Sequence, residues 1–271
     1  MFFNKSYAIF KLTKHLFLFF ILTVITQVGG IVYLVFIFLK KKLQVNSKLK
    51  SLLLYIVLYL FTSLIIVPFS APFFGREPIL HQQNIKPTNY LTVLLNRNYV
   101  KPQLNKLLQK TAKGLKNTGI EIRYLDANFP FINKFPLLPH LSHNDGRKID
   151  LSFVYQDKSG KITTRQKSNS GYGVFESPKN NEINQINTCL NKGYWQYSYA
   201  KYMTFGTINS DLILSKKGTK KLIKTLLRQK ETQKIFMEPH LKQRLHLTNK
   251  KIRYHGCQAV RHDDHIHLQI N

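Results

Sequence analysis

Two apolar runs near the start constrain this chain more than anything that follows them. His15 to Leu39 is almost uninterrupted apolar sequence, and Ser51 to Phe69 is a second run with Pro68 at its end. The first is longer than the roughly 20 residues that cross a bilayer. Residues 1–70 contain no Asp or Glu. The first run is also too long for a cleaved leader, and no small-x-small site follows it. The expectation is a two-helix transmembrane hairpin over 15–39 and 51–69, within a membrane segment 1–70. Lys40, Lys41, Lys42, Lys48 and Lys50 lie in the connection, which favours the cytoplasmic side for that loop. Both ends, and the C-terminal domain with them, would then face outward from a cytoplasmic membrane, into periplasm or cell wall. Lys5, Lys11 and Lys14 before the first run, with Arg76 and Lys86 after the second, are counted against that orientation.

Chemistry-bearing residues gather at the other end. In the last seven residues His265, His267 and Gln269 alternate with Ile266, Leu268 and Ile270, the period-two pattern of a half-buried strand. Two residues apart on a strand, His265 and His267 share a face about 7 Å apart. Alone, such a pair reads as the solvated face of an edge strand. A second cluster lies about 120 residues upstream, where His143 and Asp150 are spaced H-x6-D with Gly146 offering a tight turn between them. Asp150 sits where an apolar strand begins (Ile149, Leu151, Phe153, Val154). A carboxylate there is costly unless something pairs with it, and a metal ion would. Two histidines and one carboxylate match the ligand set of a catalytic zinc whose fourth position stays open to water.

Ser142, His143, Gly146 and Asp150, followed by His262, His265 and His267, resemble the motifs of the LAS-type zinc peptidases. That group includes D-Ala-D-Ala peptidases, penicillin-insensitive murein endopeptidases and the zinc-bearing domain of hedgehog proteins. The murein endopeptidases look most similar: they too carry a histidine three before the first ligand, matched by His140, and an apolar strand and short helix before the last motif, resembled by 234–245. The likeness covers about Ile120 to Asn271. It implies zinc held by His143, Asp150 and His267, with His265 as base or oxyanion stabiliser. His140, His262, Asp264 and Arg147 become further candidates for the site, Asp263 and Asp264 as residues that orient a histidine. The implied substrate is cross-linked peptidoglycan, cut at a peptide bond involving a D-amino acid. Several relatives use a glutamate shortly before the HxH pair. Here the nearest upstream, Glu238, is 27 residues from His265 (265 − 238), which favours the endopeptidase branch.

Between these clusters the reading is coarser. Residues 71–119 read as a connector and first helices, with Leu107, Leu108, Ala112 and Leu115 at helical spacing. A zinc peptidase-like domain is expected over 120–271: strands at 120–125 and 147–155, a basic amphipathic helix over 216–230, and short strands at 234–238 and 265–270. Strands and helices interleave without βαβ repeats, so the expected fold is α+β, with a mainly antiparallel sheet and flanking helices.

The net charge of +28 draws the chain toward polyanions, yet the basic residues are scattered and no nucleic-acid motif accompanies them, so no nucleic-acid partner is expected. Cys189 and Cys257 are the only cysteines; a disulfide in an oxidising compartment and two buried thiols both remain open. Oligomeric state is not legible. Two other functions fit the same residues: a zinc-dependent D,D-carboxypeptidase, or a non-catalytic zinc-stabilised domain that binds cell wall.

Overall fold

The computed structural model describes residues 2–82 and 84–271. The first apolar run is not one helix. It breaks at Gln27, whose φ of 66° is left-handed, into α1 (Phe2–Thr26) and α2 (Gly29–Lys42). The two fold back on each other, and His15 Nδ1 meets Tyr33 Oη at 2.8 Å. Gly29 and Gly30 make that turn possible: a Cβ on Gly30 would lie 2.0 Å from Thr23 Oγ1 and 2.7 Å from the Phe19 carbonyl. The expected single span over 15–39 is therefore corrected to a helical hairpin, because two consecutive glycines let the helices approach closely.

The second run holds as α3 (Lys48–Phe61), capped by Ser47, and continues through a π-helical turn (Thr62–Ile66) and α4 (Val67–Ser70) to Phe74. Ile9–Thr26 and Lys48–Phe74 are both long and apolar enough to cross a membrane. Outward-facing apolar side chains such as Leu64, Phe69 and Phe73 line the second.

The remainder is α+β. In chain order it contains β1 (Glu77–Pro78), β2 (Ile85–Pro87), α5 (Leu91–Leu94), β3 (Tyr99–Val100), α6 (Pro102–Gly114), β4 (Ile122–Tyr124) and β5 (Lys148–Ser152). Then follow β6 (Tyr155–Gln156), β7 (Ile162–Thr163), α7 (Gln185–Asn191), β8 (Ile213–Leu214), α8 (Lys216–Leu227), β9 (Thr232–Phe236), α9 (Pro239–Arg244), β10 (Ile252–Arg253) and β11 (His265–Ile270). The principal sheet is mixed, in the order β10-β9-β11-β5-β4-β2. Its three inner pairings are antiparallel and its two outer ones parallel. Residues 71–119, read from sequence as connector and first helices, supply β2 to that sheet and α6 to its core.

Alternation decides which face of the sheet does what. Ile149, Leu151, Ile235, Ile266, Leu268 and Ile270 are buried in one apolar core with leucines of α6 and α8, each such side chain contributing about 1.5–3 kcal/mol. Gly114 lets α6 close on α8, since a Cβ there would stand 2.9 Å from Thr225 Cγ2. The opposite face carries Asp150, His265 and His267. β11, an interior strand between β5 and β9, brings His267 opposite both Asp150 and Phe236. The chain joins Cys189 to Cys257 in a disulfide, tying α7 to the loop after β10.

Candidate metal centre

β5 supplies Asp150 and β11 supplies His265 and His267, and the antiparallel register puts His267 directly across from Asp150. His143 comes from the loop before β5, where Gly146 turns at φ 77°. Asp150 Oδ1 lies 2.8 Å from His267 Nδ1 and 3.2 Å from His143 Nε2, and the two histidine nitrogens are 3.2 Å apart. All three residues are buried.

Hydrogen bonding fixes how these atoms present themselves. The Ala127 carbonyl can only accept, so His143 Nδ1, 2.7 Å away, carries the proton and Nε2 offers a lone pair. Tyr172 Oη donates to Asp150 Oδ2 at 2.8 Å, leaving Oδ1 buried without a hydrogen-bond partner. The outer atoms of His143 and Asp150 are thus engaged, while His267 Nε2, like Asp150 Oδ1, is buried without a hydrogen-bond partner; with its proton on Nε2, His267 would turn a lone pair from Nδ1 toward the other two donor atoms. Metal–ligand bonds of about 2.0–2.1 Å would set tetrahedral ligand atoms about 3.3 Å apart, close to the spacing found. The residues present fit a metal ion.

Around this triad the other histidines take separate stations. His265 Nδ1 is 2.5 Å from Asp264 Oδ1, which directs Nε2 toward Asp150 Oδ1 at 3.6 Å. Asp264 is held in turn by the Gly173 N–H at 2.6 Å. His140 Nδ1 stands 3.4 Å from Asp150 Oδ2 and 3.3 Å from Asp126 Oδ2. His262 is buried with its backbone N–H on Glu238 Oε1, and could join His265 and His267 as a second three-histidine ligand group. Asp263 pairs with Arg261, away from the triad.

Burial and neighbouring charge set the protonation states. Burial raises the Asp150 carboxyl, but His143, His265 and His267 outweigh that and hold it well below the usual carboxylate range. Burial brings His267 down to about 4, so it is neutral and available as a ligand near pH 7. For His265 burial acts downward too, but Asp150 and Asp264 override it and raise the imidazole to about 9. Tyr172 is pushed well above its ordinary value by burial and by Asp150, so it stays a donor.

His143, Asp150, His267, His265, His140, His262 and Asp264 therefore come together. Arg147 does not: it is exposed at the head of β5, and its backbone N–H bonds Asp145 while its carbonyl accepts from Ile270. Glu238 is also outside the ligand triad, engaged by Tyr197 Oη and the His262 N–H. Sequence reading missed Tyr172 and the Arg97–Asp126 pair, which closes through two hydrogen bonds of 2.8 Å. The one local signal for Tyr172 is its position between Gly171 and Gly173, both with positive φ. Gly173 lies so close to the Ala200 carbonyl that a Cβ would come within 2.2 Å of it.

No protein-family model and no curated protein sequence matches this chain.

Proposed function

We propose that this chain is a membrane-anchored zinc metallopeptidase of the LAS kind, hydrolysing peptide cross-links of peptidoglycan. The observation that carries the reading is the convergence of His143 Nε2, Asp150 Oδ1 and His267 Nδ1, with His265 beside them and oriented by Asp264. Bound zinc would supply a polarised water and a Lewis acid for the scissile carbonyl. His143, Asp150 and His267 would hold it. A purely structural site has no use for His265, an extra imidazole gripped by a carboxylate. In the catalytic reading His265, protonated near pH 7 in the metal-free chain, stabilises charge on the carbonyl oxygen, or, once that proton has left on metal binding, its Nε2 takes a proton from the attacking water. Asp264 keeps the His265 proton on Nδ1, and Tyr172 keeps Asp150 from rotating.

The helical hairpin supports an outward-facing domain. With α1 and α2 folded back at Gln27–Val28, seven of the eight lysines of residues 1–70 fall toward the end of the helices away from that turn, and the eighth, Lys14, lies at the middle of α1. The turn itself touches the C-terminal domain, where Gln27 Oε1 accepts from the Phe131 N–H at 2.8 Å. By the positive-inside bias the lysine end is cytoplasmic, and the domain faces outward, where a cell-wall substrate would be.

The test is digestion of purified peptidoglycan by the zinc-loaded full chain in detergent, with products read by mass spectrometry and a chelator control. Loss of cross-linked dimers to monomers, abolished by chelator, is the expected result. Release of free D-alanine would reassign the same site to a carboxypeptidase. Intact peptidoglycan with stoichiometric zinc bound would overturn hydrolysis of this substrate and favour a wall-binding domain.

A further inference from the structure

A cavity of about 160 Å³ adjoins the metal centre, and its lining is chiefly apolar. Leu91, Thr92 and Leu95 form one wall; Leu125, Leu138 and Met203 contribute others; His140, Asp126 and Tyr172 mark the polar end. That end reaches the ligand cluster through His140, 3.4 Å from Asp150. Among the described residues of the lining there is no lysine and one arginine, Arg97, which is consumed by Asp126 in a doubly hydrogen-bonded pair. The cavity therefore offers no spare cation to a peptide carboxylate.

Another part of its lining adjoins the second apolar helix. Tyr59 Oη of α3 donates to the Leu94 carbonyl at 2.7 Å, and Asn96 Nδ2 donates to Ser63 Oγ at 3.1 Å. Lys50 to Phe69 is about 28 Å of helix, nearly the thickness of a bilayer's hydrocarbon core. Tyr59 and Ser63 lie within that apolar segment, and they hold the end of α5 and Asn96 beside it. Tyr90 and Leu91 are more than half exposed there, and Leu138 and Phe205 are exposed around the same cavity. α5 is thus both a wall of the cavity and a neighbour of the apolar helix α3.

We infer that this cavity takes a hydrocarbon chain of a membrane lipid, so that the adjoining centre also accepts an amphiphile, a peptide or amide borne on a lipid chain. The inference rests on reading the His/Asp cluster as a hydrolytic centre, and extends what that centre cuts to membrane-borne substrates. Hydrolysis of such an amide breaks its C–N bond and forms C–O from water. The proton leaves on the departing amine, with water the only co-reactant.

The experiment places the full chain in phospholipid nanodiscs containing a phosphatidylethanolamine with a diazirine in mid-chain, irradiates, and maps labelled peptides. Labelling of the peptides that contain Leu95, Leu125 and Met203 is expected alongside labelling of the spans. Leu91→Glu, at an exposed position, sets a carboxylate at the mouth and should cut cavity labelling about tenfold or more, with span labelling and zinc content unchanged. Met203→Trp, filling the cavity, should do the same; if it misfolds, Leu91→Glu alone decides. Label confined to the spans, in protein that binds zinc and cleaves wall peptides, would overturn this inference and leave the hydrolase reading intact. Cavity labelling in protein that binds no zinc would sustain the lipid site and sink the hydrolase reading.

Discussion

Asp150→Asn tests the centre most directly. Asp150 Oδ1 is 2.8 and 3.2 Å from the two histidine nitrogens it would share a cation with, so little rearrangement is needed for binding. Zinc at about 100 times its dissociation constant adds about 2.7 kcal/mol to the wild-type chain. For a domain of this size each kcal/mol moves the melting temperature about 2–4 °C, giving a rise of about 5–11 °C. Asparagine keeps the shape but loses the charge. If affinity falls about 100-fold, the same zinc concentration adds only about 0.4 kcal/mol, a shift of about 1 °C. The metal-free variant should also melt lower than wild type, because His265 loses a buried counter-charge, up to about 3–5 kcal/mol. The assay is thermal unfolding in detergent with chelator, then with titrated zinc. An Asp150→Asn protein that keeps the full zinc-dependent shift would refute the ligand assignment.

His265→Ala should retain zinc while hydrolysis falls about 10²–10⁴-fold; parallel loss of metal, read by elemental analysis, would make His265 a ligand instead. The imidazole of His265 is raised to about 9, above its ordinary 6.5, so its contribution to metal-free stability is complete below pH 6.5 and lost as pH rises through 9. Zinc must compete with that proton, so affinity should rise with pH up to about 9, with about one proton released per zinc at pH 7 in calorimetry across buffers; Asp264→Asn should shrink the release. Cys189→Ser opens a covalent loop with a sequence separation of 68 and should cost about 4 kcal/mol in denaturant titration.

What was legible in the sequence depended on pattern length. Strict alternation over 265–270 gave a strand and the face its histidines share, and the apolar periodicity of 105–116 and 216–230 gave the two core helices, which the structure bounds at 102–114 and 216–227. H-x6-D and HxH pointed to residues that β5 and β11 bring within 4 Å of one another. The break at Gln27 was hidden because hydropathy alone does not distinguish one long span from a hairpin. Its signal was Gly29-Gly30, whose meaning rests on the opposing α1 surface. Tyr172 and Asp126 were invisible for a similar reason: each acts through partners far away in sequence, and neither lies in a periodic run. Arg147 was counted in through adjacency to the motif, but on a strand adjacency alternates faces, and this residue remains in solvent.

The register between β5 and β11 has a kinetic meaning as well. His267 meets Asp150 at a sequence separation of 117 (267 − 150), so the site exists only after the most distant pairing in the sheet has formed, a slow class of event in folding. A slip of one residue would turn Ile266 and Leu268 toward the polar face and send both histidines into the core. Metal uptake in a refolding time course would then serve as a clock for strand closure, lagging the appearance of helix and arriving only in molecules whose central strands have found their correct partners.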